Sequence, residues 1–398
     1  MGSLFEIKVS APGKVILHGE HSVMFGKFAI AGSLGLRSYI SVKEVQSSVG
    51  SFINIDLPSV NLKNTLSLDH IQSHLFKPSN SQLLWKNPQT LDHESHLSNV
   101  DKCLQSINVN INDLNSVQYN ALRGMLYLIS GIFGDTNFLN NSLDISIRSG
   151  LTVGAGTGSS ASFAVCLAGA LIQLLKLKSG TSDKDFDTED KILISAWAYN
   201  CEKIMHGSPS GIDNSTCALG SLVGFRKGEG PTIPTFQINL RILLVDTKVS
   251  RETKILAAKT TLLRERNQKA VDCIMDACDH IATTAFKIME KLAACDPEDS
   301  EINFKHLSEL WNMNHCLLAS LGVSHPSLED IRASATKHGL ACKLTGAGGG
   351  GYAIVLIPPT TEQPCVEALS NELKDKGYTV SDTQLGGPGV LIEYINNL

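Results

Sequence analysis

The stretch GLTVGAGTGSSASFAV, Gly150 to Val165, crowds glycines, two adjacent serines and other small residues between two different hydrophobic periods. Upstream, Leu143-Asp144-Ile145-Ser146-Ile147 alternates apolar and polar, as a half-buried strand does. Downstream, Ser162 to Leu177 is a long, apolar, alanine-rich helix pattern. The glycines therefore sit at a strand-to-helix joint. Glycine lets backbone amides approach a ligand closely, and a helix start adds unpaired N–H groups with partial positive charge, so such a joint suits a phosphate. No lysine follows GAGTG and G-x-x-x-x-G-K-[ST] occurs nowhere, so the loop is not a Walker A. Nor does the chain open with the repeated βαβ units of a dinucleotide site. Taken alone, the residues fit either phosphate binding or a turn built for close packing.

Outward from this joint, residues 4 to 45 carry short alternating runs, broken by APGK and FGK turn chemistry, and predict a strand-rich opening. Residues 46 to 115 are irregular and polar, and read as an elaborated insertion: a lid, a nucleotide-flanking loop or a surface decoration. Helix patterns follow at about 117–133, 159–177 and 189–206, with strands at 219–226 and 236–245. The segment KGEGPTIPT, Lys227 to Thr235, marks a boundary. Residues 251–295 and 303–321 are mostly helical. The end alternates helix (327–338), strand (340–345), strand (352–357), helix (364–376) and two further strands, an α+β layer of four antiparallel strands backed by helices.

Bulk composition narrows the function. The chain has 398 residues, 42% of them hydrophobic and 18% charged, enough for two domains with large cores. A net charge of −5 gives no basic field for nucleic acid or an anionic membrane, so a small-molecule partner is expected. No apolar run is expected to span a membrane. Ten cysteines without C-x-x-C pairs, and no leader pattern at the start, predict buried, inert thiols in a reduced, cytoplasmic protein.

Three further blocks carry chemistry. APGKVILHGEHSVMFGK (Ala11–Lys27) presents Lys14 and then Glu20 and His21; CEKIMHGSPSGIDNS (Cys201–Ser215) presents Glu202 and Asp213; KLTGAGGGGYAIVL (Lys343–Leu356) holds four consecutive glycines between two strands. Each residue also has a plain structural reading. Ser160 opens a helix, Glu202 pairs with His206 at i+4, Asp213 caps a segment starting at Asn214, and Lys14 is a solvated turn lysine. The two histidines of HGEH are at i and i+3 without HExxH, which argues against zinc; His206 and His315 read as structural or solvated.

In order and spacing these blocks resemble the three motifs of the GHMP kinase superfamily, and the first has the form found in its mevalonate kinase branch. WNMNHCLLASLGVSHPSLEDI (Trp311–Ile331) and GGPGVLI (Gly386–Ile392) are similar to later segments of the same family. The resemblance covers nearly the whole chain and is weakest over 46 to 115. It implies an α+β, two-domain fold: an N-terminal strand-rich α/β ATP-binding domain at 1–230, a C-terminal domain at 231–398 with helices packed on an antiparallel sheet, and the active site in the cleft between. It further implies transfer from ATP to the primary hydroxyl of mevalonate, giving 5-phosphomevalonate and ADP for isoprenoid and sterol precursors, in a homodimer.

By the same resemblance, Gly154, Ala155, Gly156, Thr157, Gly158, Ser159 and Ser160 wrap the nucleotide phosphates. Ser160 and Glu202 hold Mg²⁺, for which hard oxygen donors are suited. Asp213 takes or orients the hydroxyl proton, and Lys14 beside it keeps it ionised and stabilises developing charge. Glu20 and His21, with Gly346, Ala347 and Gly348, bind the small acid substrate or order the site. The loop departs from the family pattern: Thr152-Val153 stand where members have Pro-Pro, and Thr157 where they have Leu. Lost prolines loosen the unbound loop by about 0.4–1 kcal/mol per position, without removing a phosphate contact. The alternatives are a kinase of this fold for another small alcohol, and a GHMP-like sensor that binds without turnover.

Overall fold

The long N-terminal strand β1 (Ser3–His18) pairs antiparallel with β2 (Ala29–Val45), and the alternation of Ile7, Val9, Ile40 and Val42 with polar neighbours puts one face of the pair into the core. The computed structural model describes residues 3–48, 50–76, 84–107, 113–181, 183–207, 209–250, 253–294 and 297–397. APGK is not the expected turn. β1 runs straight through it, and its register with β2 shifts between Pro12 and Lys14. Proline cannot donate to a ladder and is tolerated where the ladder is interrupted, and such a shift re-aims the side chain that follows, here Lys14.

The remaining strands are β3 (Phe52–Leu57), β4 (Leu62–Ser67), β5 (Ser142–Ser149), β6 (Leu222–Phe225), β7 (Leu240–Asp246), β8 (Cys342–Leu344), β9 (Tyr352–Leu356), β10 (Thr379–Leu385) and β11 (Leu391–Asn397). The helices are α1 (Leu68–Leu75), α2 (His93–Ser106), α3 (Ser116–Phe133), α4 (Ser159–Lys178), α5 (Thr188–His206), α6 (Ile212–Leu219), α7 (Thr253–Arg266), α8 (Gln268–Ala294), α9 (Pro297–Ser320), α10 (Pro326–Lys337) and α11 (Gln363–Asp375).

A first sheet runs β4-β3-β5-β2-β1-β11, with β6 beside the start of β2; β3 and β5 are parallel and the other pairs antiparallel. A second, fully antiparallel sheet runs β10-β7-β9-β8 and meets the first at the single pairing Leu385–Leu34. The four antiparallel strands of the later half are thus present, with one exchange. β11, read as part of that layer, instead pairs with β1, and β7 takes its place. Both faces of the second sheet are buried. Ile242, Leu244, Ile354 and Leu356 face α8 and α9, while Leu243, Val245, Ala353 and Val355 face α10 and α11. Strands apolar on both faces need helices on both sides.

Two further expectations change. Residues 46 to 115 are no surface decoration: β3 and β4 extend the first sheet, and Ile53, Ile55, Leu66, Ile71, Val100 and Leu104 enter its core. Helix α4 is long and apolar enough to cross a membrane by length and composition, with mean hydropathy 1.7, contrary to the reading that no run reaches that length. Its apolar character has another cause, because 83% of that window is buried against β1, β2, α3, α5 and α6. A helix apolar all round belongs at the centre of a core as readily as in lipid. The thiols are less uniform than expected. Nine cysteines are free, but Cys273 and Cys316 are exposed and Cys365 half-buried; Cys295 lies outside the described residues.

α3 packs closely on α5. A Cβ on Gly131 would lie 2.5 Å from the Trp197 ring, which is fully buried and donates from Nε1 to the Trp85 carbonyl oxygen at 2.8 Å. Gly131→Ala is therefore expected to destabilise the protein by about 1–3 kcal/mol through overpacking, read as a lowered thermal midpoint.

Candidate active site

A cavity of about 720 Å³ opens between β1, the glycine loop, α5, α6, α7 and the loop after β8, and Lys14, Glu20, His21, Ser160, Glu202 and Asp213 all line it. Lys14 leaves β1 at the register shift, and its backbone N–H donates to the Thr157 carbonyl oxygen at 2.8 Å, tying the strand to the glycine loop. Gly154, Gly156 and Gly158 have φ of 76°, 85° and 72°, and alternating left-handed residues give a loop the concave N–H arrangement that receives anions. Gly158 is also the N-cap of α4 and supplies no side-chain cap, so the helix's first amides are not satisfied by a cap side chain. Gly154, Gly156, Gly158, Ser159 and Ser160 line the cavity, as does Val153. Ala155 packs instead against the apolar cluster that holds Ile242, Leu244, Ile354 and Leu356, and Thr157 is buried with its hydroxyl unpartnered.

Asp213 is the second residue of α6, a helix entered through Gly211 at φ 86°, rather than a cap of a segment beginning at Asn214. Neighbouring Asn214 turns inward and donates to the Ser195 carbonyl oxygen at 3.0 Å and Ser195 Oγ at 2.9 Å, which fixes the first turn and leaves Asp213 facing the cavity. There Asp213 Oδ1 meets Lys14 Nζ at 3.0 Å, and the helix N-terminus favours the carboxylate further. Lys14 is nearly buried while Asp213 is 35% exposed toward the opening.

Glu202, in the last turn of α5, is buried with Oε1 unpartnered. Burial, then the negative charge of Asp213, pushes its carboxyl up to about 7, against the opposing pull of the Ser160 hydroxyl and Lys14. His206 does pair with Glu202, at 3.7 Å, but it also lies 3.1 Å from Ser160 Oγ and lines the cavity; burial lowers its pKa. It belongs to the site more closely than its sequence suggested. His315 is structural, as expected: its Nδ1 accepts from the Leu344 N–H and its Nε2 lies 2.9 Å from Glu329.

The opposite wall comes from the later half. His21, held at the left-handed φ of 57°, has Nε2 2.8 Å from the Ala347 carbonyl oxygen and Nδ1 3.1 Å from Thr260 Oγ1 on α7. A non-glycine residue in that region is strained and persists only where its surroundings hold it. Gly346 and Ala347 line the cavity. Gly348 does not, and its glycine answers to packing, since a Cβ there would lie 2.0 Å from the Val323 carbonyl oxygen. Thr253 and Lys254, at the start of α7, also reach the cavity, as do Leu57, Val60 and Val117. No motif marks these residues, and only the fold brings them in.

Comparison with known proteins agrees with this arrangement. Residues 120–221 match the GHMP kinases N terminal domain family and residues 290–375 the GHMP kinases C terminal family, so the fold is that of a GHMP kinase. The chain is 34% identical to mevalonate kinase from Bos taurus over 96% of its length and 94% of that protein's, and 34% identical to the Candida albicans mevalonate kinase over 98% and 90%. The crystal structure of L. major mevalonate kinase in complex with R-mevalonate superposes with a TM-score of 0.64 at 20% identity, covering 98% of this chain and 97% of that one. The chain belongs to the mevalonate kinases.

Two outcomes test the geometry. The Glu202 carboxyl in the folded protein, at about 7, lies above its ordinary 4.5. The unfolded chain therefore gives up this proton first, and stability falls as pH rises from about 4.5 to about 7 and stays lowered above it. Glu202→Gln is expected to raise the thermal midpoint at about pH 8 but not at about pH 5. At Gly158 a Cβ would lie 2.8 Å from Lys14 Cγ on a left-handed backbone. Gly158→Ala should lower turnover by about 100-fold in a steady-state assay, with the fold retained by circular dichroism.

Proposed function

We propose that this cavity is where the primary hydroxyl of mevalonate takes the γ-phosphoryl group of ATP, giving 5-phosphomevalonate and ADP. The observation that carries the reading is the Lys14–Asp213 pair, at 3.0 Å, set between the glycine loop and the Gly346–Ala347 wall. Asp213 accepts the hydroxyl proton as the hydroxyl oxygen bonds to phosphorus and the bond to the β,γ-bridging oxygen breaks. Lys14, paired with Asp213, orients that side chain and stabilises the negative charge that develops on the transferring group. The amides of residues 154–160 receive the phosphates, and the apolar end at Leu57, Val60 and Val117 takes the base.

Ser160 and Glu202 suit Mg²⁺: a hydroxyl and a buried carboxylate with an unpartnered oxygen are hard donors. A cation held there would take one or two protein oxygens plus substrate phosphates and water. Bound there, Mg²⁺ supplies neutralisation of phosphate charge. Glu20, His21, Gly346 and Ala347 receive the acceptor; residues 1–230 and 231–398 form the two walls. The reading extends to a cytoplasmic homodimer, supported by the nine free thiols and by likeness to the family.

The test is coupled ADP release with Mg-ATP, comparing mevalonate with homoserine, galactose and phosphomevalonate. Turnover on mevalonate is expected, with Asp213→Asn lowering kcat by about 10²–10⁴-fold while nucleotide binding persists. Near-normal activity in that variant would remove Asp213 from its role. Nucleotide binding without turnover on any alcohol would favour a sensor.

A further inference from the structure

Helix α7 reaches the cavity from the later half of the chain and serves two ends of it. Thr260 Oγ1 lies 3.1 Å from His21 Nδ1, while Thr253, Lys254 and Ala257, earlier on the helix, line the cavity themselves. At about 1.5 Å per residue, about 9 Å of helix separates Lys254 from Thr260. The start of α7 is thereby carried away from His21 and toward the phosphate end. There the charge of Lys254 acts on His206, whose Nε2 lies 3.1 Å from Ser160 Oγ in the first turn of α4. Burial acts on His206 most, followed by Asp213, Lys14 and Lys254.

A lysine at this place needs an account. Lys254 is exposed and makes no ion pair among the described residues. The first turn of α7 carries no acidic residue, and the amino end of a helix is its positive end, where a cation is disfavoured. A lysine on an outer surface is simply solvated, but this one faces a cavity that Thr253 and Ala257 also line. Two positive features therefore converge on one side of the cavity with no carboxylate of the protein paired to them. On the facing wall, Lys14 is already engaged by Asp213 at 3.0 Å, and Glu202 lies close enough to feel the charge of both. That wall offers one cation against two carboxyl groups, a poor balance for receiving a triphosphate.

We propose that Lys254 is a second cation for the phosphoryl group in transfer: reaching across the cavity from α7, its ammonium donates to a γ-phosphate oxygen of ATP. Charge in the transfer spreads over three equatorial oxygens, which calls for donors on more than one side. Lys14 approaches from β1 and the amides of the glycine loop from the start of α4; Lys254 adds a donor from the later half. It moves no proton and forms no bond to phosphorus, and the hydroxyl proton still passes to Asp213. The assignment rests on the proposed function for the nucleotide and its phosphate end, and not on which alcohol accepts.

The experiment compares wild type, Lys254→Met and Lys254→Arg by calorimetric titration with Mg-ATP and with Mg-ADP, without any alcohol, and by steady-state turnover. Lys254→Met is expected to weaken ATP by about tenfold and ADP by no more than about twofold, because only ATP carries the γ-phosphate. Its kcat should fall by about 10–100-fold, with KM for mevalonate within about threefold. Lys254→Arg keeps the charge and should restore most of both losses. A merely structural role at the start of α7 would move ATP and ADP alike. Equal losses for ATP and ADP, or unchanged ATP affinity and kcat, would each overturn the assignment. So would a raised KM for mevalonate with kcat unchanged, which gives the lysine to the carboxylate of the acid instead. A wild type that turns over another alcohol in place of mevalonate overturns the proposed substrate alone, since the two nucleotide titrations contain no alcohol and decide the role of Lys254 either way.

Discussion

The backbone hydrogen bond from Lys14 to Thr157, at 2.8 Å, is the contact on which the site depends. It brings the bulged first strand against the phosphate loop, two segments distant in sequence, and so sets Lys14 next to the start of α4. The approach is possible because two residues lack side chains. A Cβ at Gly13 would lie 2.7 Å from the Thr157 carbonyl oxygen, and one at Gly158 would meet Lys14 itself. Glycine here serves contact between two parts of the chain as much as contact with a ligand. The loop's two readings, phosphate binding and close packing, therefore hold together.

From that contact the site is assembled by rigid elements. The short helix α6 is pinned by Asn214 and delivers Asp213 to Lys14. α5 brings Glu202 into a buried position beside it, where two carboxyl groups near one lysine do not share the same environment. Asp213 is partly open and paired, while Glu202 is enclosed with a free oxygen. Differing environments separate the roles of otherwise similar acids. The later half closes the cavity from the other side, where Ala347 in the loop after β8 and Thr260 on α7 meet His21.

Much of this was legible in the residues. Helices α3, α4 and α5 follow from their apolar period within a residue or so, and the strand-to-helix joint from its composition. Lys14, Glu202 and Asp213 were found by resemblance to motifs rather than by any local signal, since each has an ordinary surface role at its own position. APGK misled because Pro-Gly is turn chemistry in isolation, and only pairing with β2 shows a strand interrupted by a bulge. Residues 46–115 misled because β3 and β4 are short, with polar outward faces. Thr260 and Lys254 were not singled out as site residues. The groups they act on lie across the fold, and no spacing in the sequence points from residue 254 to residue 206.

The return of β11 to β1 has a consequence for how the chain is made. β1 pairs with β2 within the first few dozen residues, but its other edge waits for residues 391–397. At about 5–20 residues per second, the ribosome leaves that edge open for roughly 20–80 seconds. An unpaired strand edge is a template for wrong partners, so during synthesis this protein carries an exposed flank that its finished fold hides. That flank stays open until the last strand emerges.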